Sequence, residues 1–473
     1  MYTLYYGNIV HTPKLGSIEI LLNHYVGINA QGTIEFVKKA SSKEEALELV
    51  KSGGNVKDEE VAFVDNSHKS ASFLMPGFID THIHASQYPN IGIGSDLPLL
   101  DWLNNHTFAL ESKLNGSEEG KRLARDVYNK VLDRTLSNGT TCASYFTTVN
   151  TETTEIFADL AAEKGQRAFV GKVCMDCNDS FPSYQETLEE TVANMKRLVD
   201  HCHKLESKGV DCSLVCPIVT PRFAPVCSSE LLTELGQMVK QYDLPVQTHV
   251  SENKDEISWV QSLFPECPNY TSVYNKFGLL NERTILAHGI HLTGPELELI
   301  KSKKTSLAHC PSSNTFITSG EAPVKKYLHE DGINISLGTD LAGGYEQSIL
   351  GVARASVMVS HHLAMDAEKD CKIGVAEALY MATVGGAKAC NLGNAVGTLE
   401  AGKKFDAQLI DLDVPGTNVD VFDFQRPDGN DKPEAVQDKI LNLLYKWVFA
   451  GDDRNCVRVW CNGRVVVDKT RVA

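Results

Sequence analysis

Met75-Pro-Gly-Phe-Ile-Asp-Thr-His-Ile-His-Ala85 decides how the rest of the chain is read. A Pro-Gly pair punctuates the chain, and Ile79, Thr81 and Ile83 then alternate with Asp80, His82 and His84. β-Branched residues at period two predict a strand. Residues two apart on a strand share a face, so His82 and His84 point the same way, with Asp80 one step behind. Two imidazoles held side by side on a rigid element suit one transition-metal ion, most often zinc. The stretch makes the chain a candidate metal-dependent hydrolase.

Outward from it, short apolar runs alternate with longer helical stretches. The runs are 77–84, 140–146, 167–175, 212–217, 245–249, 284–288, 305–309 and 333–338; helical spacing fills segments between them, such as 186–208 and 228–242. Eight strand–helix alternations predict a (β/α)8 barrel over residues 74–399, with catalysis at the C-terminal ends of its strands. Strand-like runs at residues 4–6, 18–22, 25–28 and 33–37, broken by a charged helical segment at 42–52, precede it. Similar runs at 406–412, 457–461 and 464–467 follow it. Residues 1–73 and 400–473 are therefore expected to form one small discontinuous β domain.

Composition narrows the partners. The chain has 473 residues, 42% hydrophobic and 22% charged, in the range of ordinary globular proteins. A net charge of -16 argues against nucleic acid or an anionic membrane as a general partner and leaves a small neutral substrate open. No signal-like segment and no long uncharged apolar run is visible. The 13 cysteines are scattered, which predicts free, buried thiols in a reducing cytoplasm.

Chemistry-bearing residues fall at the predicted strand ends: His82 and His84 on the first, His249 on the fifth, His288 on the sixth and Asp340 on the eighth. All five should meet at one mouth of the barrel. Imidazoles with a carboxylate fit zinc and also iron(II). A bound zinc lowers the pKa of a water ligand to about 7, and a nearby carboxylate must then handle protons. Glu252, three residues past His249, is placed for that; its bland alternative is a helix-start glutamate with Ser251 as cap. Asp340 could both touch the metal and accept a proton. His201 and His203, and His361 with His362, lie in helical segments and read as surface; Cys174 and Cys177 read as packing. His309 could be a neighbour of the site or core.

Pro76-Gly-Phe-Ile-Asp-Thr-His-Ile-His84, the later single histidines and Gly338-Thr-Asp340 resemble the amidohydrolase superfamily. The likeness narrows to its guanine deaminase branch through His82-Ile-His-Ala-Ser-Gln-Tyr-Pro89, Asp96-Leu-Pro-Leu-Leu-Asp-Trp-Leu103, Pro217-Ile-Val-Thr-Pro-Arg-Phe223, His249-Val-Ser-Glu-Asn253 and Leu337-Gly-Thr-Asp-Leu-Ala-Gly-Gly-Tyr345. The resemblance implies one zinc per chain, held by His82, His84, His249 and Asp340. It implies His288 beside the attacking water, Glu252 as proton shuttle, and Gln87, Arg222 and Phe223 at the purine, with Glu252, His249 and Asp340 also against the substrate. It implies hydrolysis of guanine to xanthine and ammonia by a cytoplasmic homodimer. The physics agrees with a carbonyl-bearing base: Arg222 can donate to O6 and Phe223 can stack, although a salt bridge at the barrel rim is the bland reading of Arg222. The fourth strand supplies no lysine to bridge two metals, which fits a mononuclear site. The competing readings are an aminohydrolase of another purine, a pterin or a triazine, and a non-catalytic scaffold on the same fold.

Overall fold

The computed structural model describes residues 2–52, 57, 60–94, 97–211, 213–366 and 370–470. Asp96 and Cys212, which open two of the segments quoted above, lie outside these. Both ends of the chain enter one sheet. Its N-terminal strands are β1 (Tyr2–Lys14), β2 (Ser17–Ile28), β3 (Ile34–Lys38), β4 (Val61–Asp65) and β5 (Ser72–Pro76). The runs at 18–22 and 25–28 are one strand rather than two: β2 passes through Asn23, at φ 52°, and stays paired with β1 on either side.

A chain entering the barrel from this sheet must turn sharply. Gly77 makes the turn possible, because a Cβ there would lie 2.2 Å from the Thr141 hydroxyl. The barrel strands follow: β6 (Phe78–His84), β7 (Thr140–Phe146), β8 (Arg167–Gly171) with its short extension β9 (Val173–Cys174), and β10 (Val215–Pro217) with its extension β11 (Thr220–Pro221). Then come β12 (Val246–Val250), β13 (Thr284–His288), β14 (Ser306–His309) and β15 (Ile335–Leu337). They pair in parallel as two four-stranded arcs, β10-β8-β7-β6 and β12-β13-β14-β15.

Backbone hydrogen bonds join the arcs at both edges. Val219 bridges to Val246, with Gln247 N donating to Val219 O at 3.0 Å. At the other edge Asp340 N donates to His82 O (2.8 Å) and His84 N to Leu341 O (3.1 Å). The ring is thereby closed, and the first and last barrel strands share a seam. Every residue of β6, β7, β8 and β13 is buried, as expected for strands covered on both faces.

The chain then returns to the terminal sheet as β16 (Ala407–Asp411), β17 (Cys456–Cys461) and β18 (Arg464–Asp468). β16 pairs antiparallel with β5, Leu409 opposite Leu74, so the two ends of the chain are stitched directly. The helix Pro433–Ala450 packs Trp447 flat on Phe78 at 5.9 Å and edge-on to Phe73 at 6.0 Å, joining sheet to barrel. Among the described residues no helix is long and apolar enough to cross a membrane.

His201 lies in the helix Leu188–Ser207 and pairs with Asp159 at 2.9 Å; His361 and His362 lie in Ile349–Asp366. Cys177 departs from the expectation of buried thiols: it is exposed, three residues beyond the strand extension that buries Cys174.

Candidate metal centre and active site

His82 and His84 leave the same face of β6, their ring centroids 5.0 Å apart. His249 comes from β12, and Asp340 stands three residues past β15. One donor atom from each of the four lies within 4.8 Å of the others, and all four residues are buried. His84 Nε2 is 3.2 Å from His249 Nε2, and Asp340 Oδ1 is 3.2 Å from His82 Nε2 and 3.4 Å from His84 Nε2. Four donors on a tetrahedron with bonds of about 2.0–2.1 Å stand about 3.3 Å apart, so the residues present fit a single ion. Apart from the Asp340 carboxylate, His82 Nε2 has no polar partner among the described residues. His249 Nδ1 contacts Arg222 O at 2.5 Å, which leaves Nε2 of the neutral ring facing the other donors. Burial pushes His82, His84 and His249 below the ordinary histidine pKa, which favours the unprotonated rings a metal requires.

Beside this cluster, His288 Nε2 lies 3.3 Å from Glu252 Oε2 and 3.8 Å from Asp340 Oδ2. Asn314 Oδ1 contacts His288 Nδ1 at 2.9 Å and sets the ring's orientation. Burial, then the charges of Asp340 and Glu256, raise the Glu252 carboxyl well above the usual range, a condition suited to a group that delivers protons. Ser251 is not the helix cap: Asn253 caps the helix Lys254–Leu263 in a capping box with Glu256. Glu252 precedes that helix and is free of the capping role. Ser251, His288 and Asp340 adopt φ of 48°, 72° and 47°, left-handed values that are strained for non-glycine residues and gather here at the strand ends.

Asp80 points into the same end of β6 without joining the donors. It accepts from Thr339 Oγ1 (2.6 Å), Thr339 N (3.1 Å) and His82 N (3.2 Å), so it ties the loop bearing Asp340 to the strand bearing His82. His309 is buried at the end of β14, and its Nδ1 has no hydrogen-bond partner among the described residues.

A cleft with about 430 Å³ of empty space, part of it open solvent, lies over the cluster, lined among others by Gln87, Trp102, Arg222, Phe223, Glu252 and His288. Phe223 offers a buried ring, backed edge-on by Trp259 at 6.0 Å. Arg222 does form an ion pair, but a buried one: its Nη1 lies 2.7 Å from Glu111 Oε2. Burial opposes the guanidinium charge and Glu111 overrides that, so its pKa is raised. Glu111 also accepts from Gln87 Nε2 (3.0 Å), Tyr184 OH (2.7 Å) and Ser86 Oγ (3.3 Å). Sequence reasoning missed Glu111, Asn314 and Asp80's partner Thr339. Glu111 carries no local signal in Phe108-Ala-Leu-Glu111; only the rule that a buried arginine needs a buried carboxylate points to it.

The model of the amidohydrolase family matches residues 73–466. A guanine deaminase of Dictyostelium discoideum is 42% identical over 468 residues, covering 98% of each chain. The guanine deaminase of Homo sapiens is 40% identical over 467 residues, covering 98% of this chain and 96% of that one. The crystal structure of guanine deaminase from C. acetobutylicum with guanine bound in its active site superposes with a TM-score of 0.82 at 33% identity, covering 98% of this chain and 100% of that one. With a barrel closed around four converging donors and likeness running from end to end, this chain belongs to the amidohydrolase family.

Proposed function

We propose that this chain hydrolyses guanine to xanthine and ammonia with one zinc ion held by His82, His84, His249 and Asp340. The observation that carries the reading is a buried four-donor cluster under a cavity walled by Arg222, Gln87 and Phe223, in a chain similar over its length to guanine deaminases. When bound, zinc supplies a Lewis acid that makes water nucleophilic near neutral pH.

The remaining steps belong to side chains. Arg222 donates to O6 of the base, Gln87 hydrogen-bonds its edge and Phe223 packs on its face. His249 and Asp340 border the reacting carbon, C2. Asp340 and His288 take the proton released by the attacking water. Glu252 delivers a proton to the ring nitrogen beside C2, takes one back from the newly added hydroxyl and hands it to the amino group, which leaves as ammonia; the proton held by Asp340 and His288 then returns to Glu252. Water and guanine thus become xanthine and ammonia with no other reactant. Arg222 disfavours adenine, whose position 6 is itself a donor, and a filled donor set disfavours the scaffold reading. The same reading makes the protein a cytoplasmic homodimer.

Ultraviolet spectra of the purified protein with guanine test it. Conversion to xanthine should vanish on chelation and return with zinc. Bound zinc without conversion would reject guanine and direct a panel of other purines, pterins and triazines.

A further inference from the structure

The polar wall of the cavity is organised by one carboxylate. Glu111 is fully buried and collects hydrogen bonds from Ser86, Gln87, Tyr184 and Arg222, which come from three separate stretches of chain. As the partner of a permanently charged guanidinium it offers acceptors only. The Gln87 amide must therefore turn its NH2 toward Glu111, as the 3.0 Å contact shows. Its Oε1 is then left buried, without a partner among the described residues, on a residue that lines the cavity. Arg222 has no acceptor at all; its Nη1 and Nη2 reach Glu111 at 2.7 and 3.4 Å, and its guanidinium rests over the Phe108 ring at 5.1 Å.

We propose that Glu111 is a positioning residue that fixes the hydrogen-bonding polarity of this wall: donors from Arg222 beside an acceptor from Gln87. The inference rests on the reading above, in which these two side chains meet the base. A donor–acceptor wall complements a ring carbonyl next to a ring N–H, the lactam edge of guanine. It mismatches an exocyclic amine next to a bare ring nitrogen, the edge of adenine, because two donors and two acceptors would then face each other. Without an acceptor-only partner, a glutamine amide can rotate by half a turn and present either pole.

Hypoxanthine and adenine isolate this edge, since both lack the 2-amino group and differ in the lactam or amidine pattern. Their inhibition constants against guanine turnover, and direct binding to the zinc-loaded protein, are compared in wild type and Glu111→Gln. Wild type should prefer hypoxanthine. In Glu111→Gln that preference should fall about tenfold or more, and KM for guanine should rise by a larger factor than kcat falls. An unchanged preference, or a loss of kcat alone, overturns the proposal. Should Glu111→Gln fail to melt cooperatively, Glu111→Asp keeps the charge beside Arg222 but withdraws the carboxylate from Gln87, and should move the preference the same way by about threefold; no shift there also overturns it. A wild type that binds hypoxanthine over adenine yet leaves guanine intact would reject the guanine reading while keeping the role of Glu111.

Discussion

Glu252 stands 3.3 Å from His288, and burial raises its carboxyl well above the usual range. Replacing it with glutamine keeps the shape and removes the exchangeable acidic proton. Glu252→Gln should lower kcat by about 10²–10⁴-fold while metal content, read by elemental analysis, stays at one per chain. Full turnover in the variant would remove Glu252 from the chemistry. His309 gives a second prediction. Burial, with His288 beside it, lowers its pKa from 6.5 to about 3, while an unfolded chain keeps the ordinary value. Below pH 6.5 the unfolded state therefore takes up a proton that the folded state refuses, and stability is lost as pH falls toward 3. Between pH 7 and pH 5 this amounts to about 2 kcal/mol. His309→Asn should lose that much less than wild type over the same interval in denaturant titrations; equal losses would show that His309 is not the group responsible. Histidines at strand ends could be found from the sequence because period two and strand ends are local patterns. Glu111 could not, because its role exists only once Arg222, more than a hundred residues later, is folded against it.

At the level of elements, the eight apolar runs lie on the strands of the barrel, since parallel strands buried on both faces read as near-continuous apolar runs, broken here by the polar side chains of the site. Boundaries slipped where local geometry overrode the pattern. β2 runs on through Asn23, and the third run divides into β8 and β9. The helix after β12 starts from Asn253, because its side chain and that of Glu256 together satisfy the first turn, a reciprocal pairing that Ser251 lies too early to make. The seam between β6 and the loop after β15 is fastened by Asp80, whose oxygens accept three hydrogen bonds. An amide at this position would keep Oδ1 for the two backbone N–H groups but set an NH2 against the Thr339 hydroxyl, which would have to turn from donor to acceptor, and it would lose the negative charge. Asp80→Asn should cost about 1–3 kcal/mol of stability. It should also weaken zinc binding about 10–100-fold in competition with a chelating dye, because His82 and Asp340 lose their common anchor. Unaltered metal affinity would show that the seam holds without Asp80.

The whole molecule is a barrel whose entry and exit strands are held by one terminal sheet, β5 against β16. Strand-like runs at both ends of the chain made that sheet legible, whereas the helix that bonds it to the barrel through Trp447 was not, since its contacts with Phe73 and Phe78 are all distant in sequence. The proposed homodimer is checked by sedimentation: the particle should have twice the 51.9 kDa chain mass, and a single-chain mass would reject it. The closing seam has a further consequence for how the protein comes into being. Thr81 meets Ser336 across 255 residues, and His82 meets Asp340 over a similar span. During synthesis, β6 leaves the ribosome long before its seam partner exists, so two of the four proposed metal donors wait, unpaired, for the other two. Long-range pairings of this kind are slow and expose edges while they wait. A chain interrupted before residue 340 lacks one of the four donors of the proposed centre, so competence for metal would mark a chain synthesised through its final barrel strand.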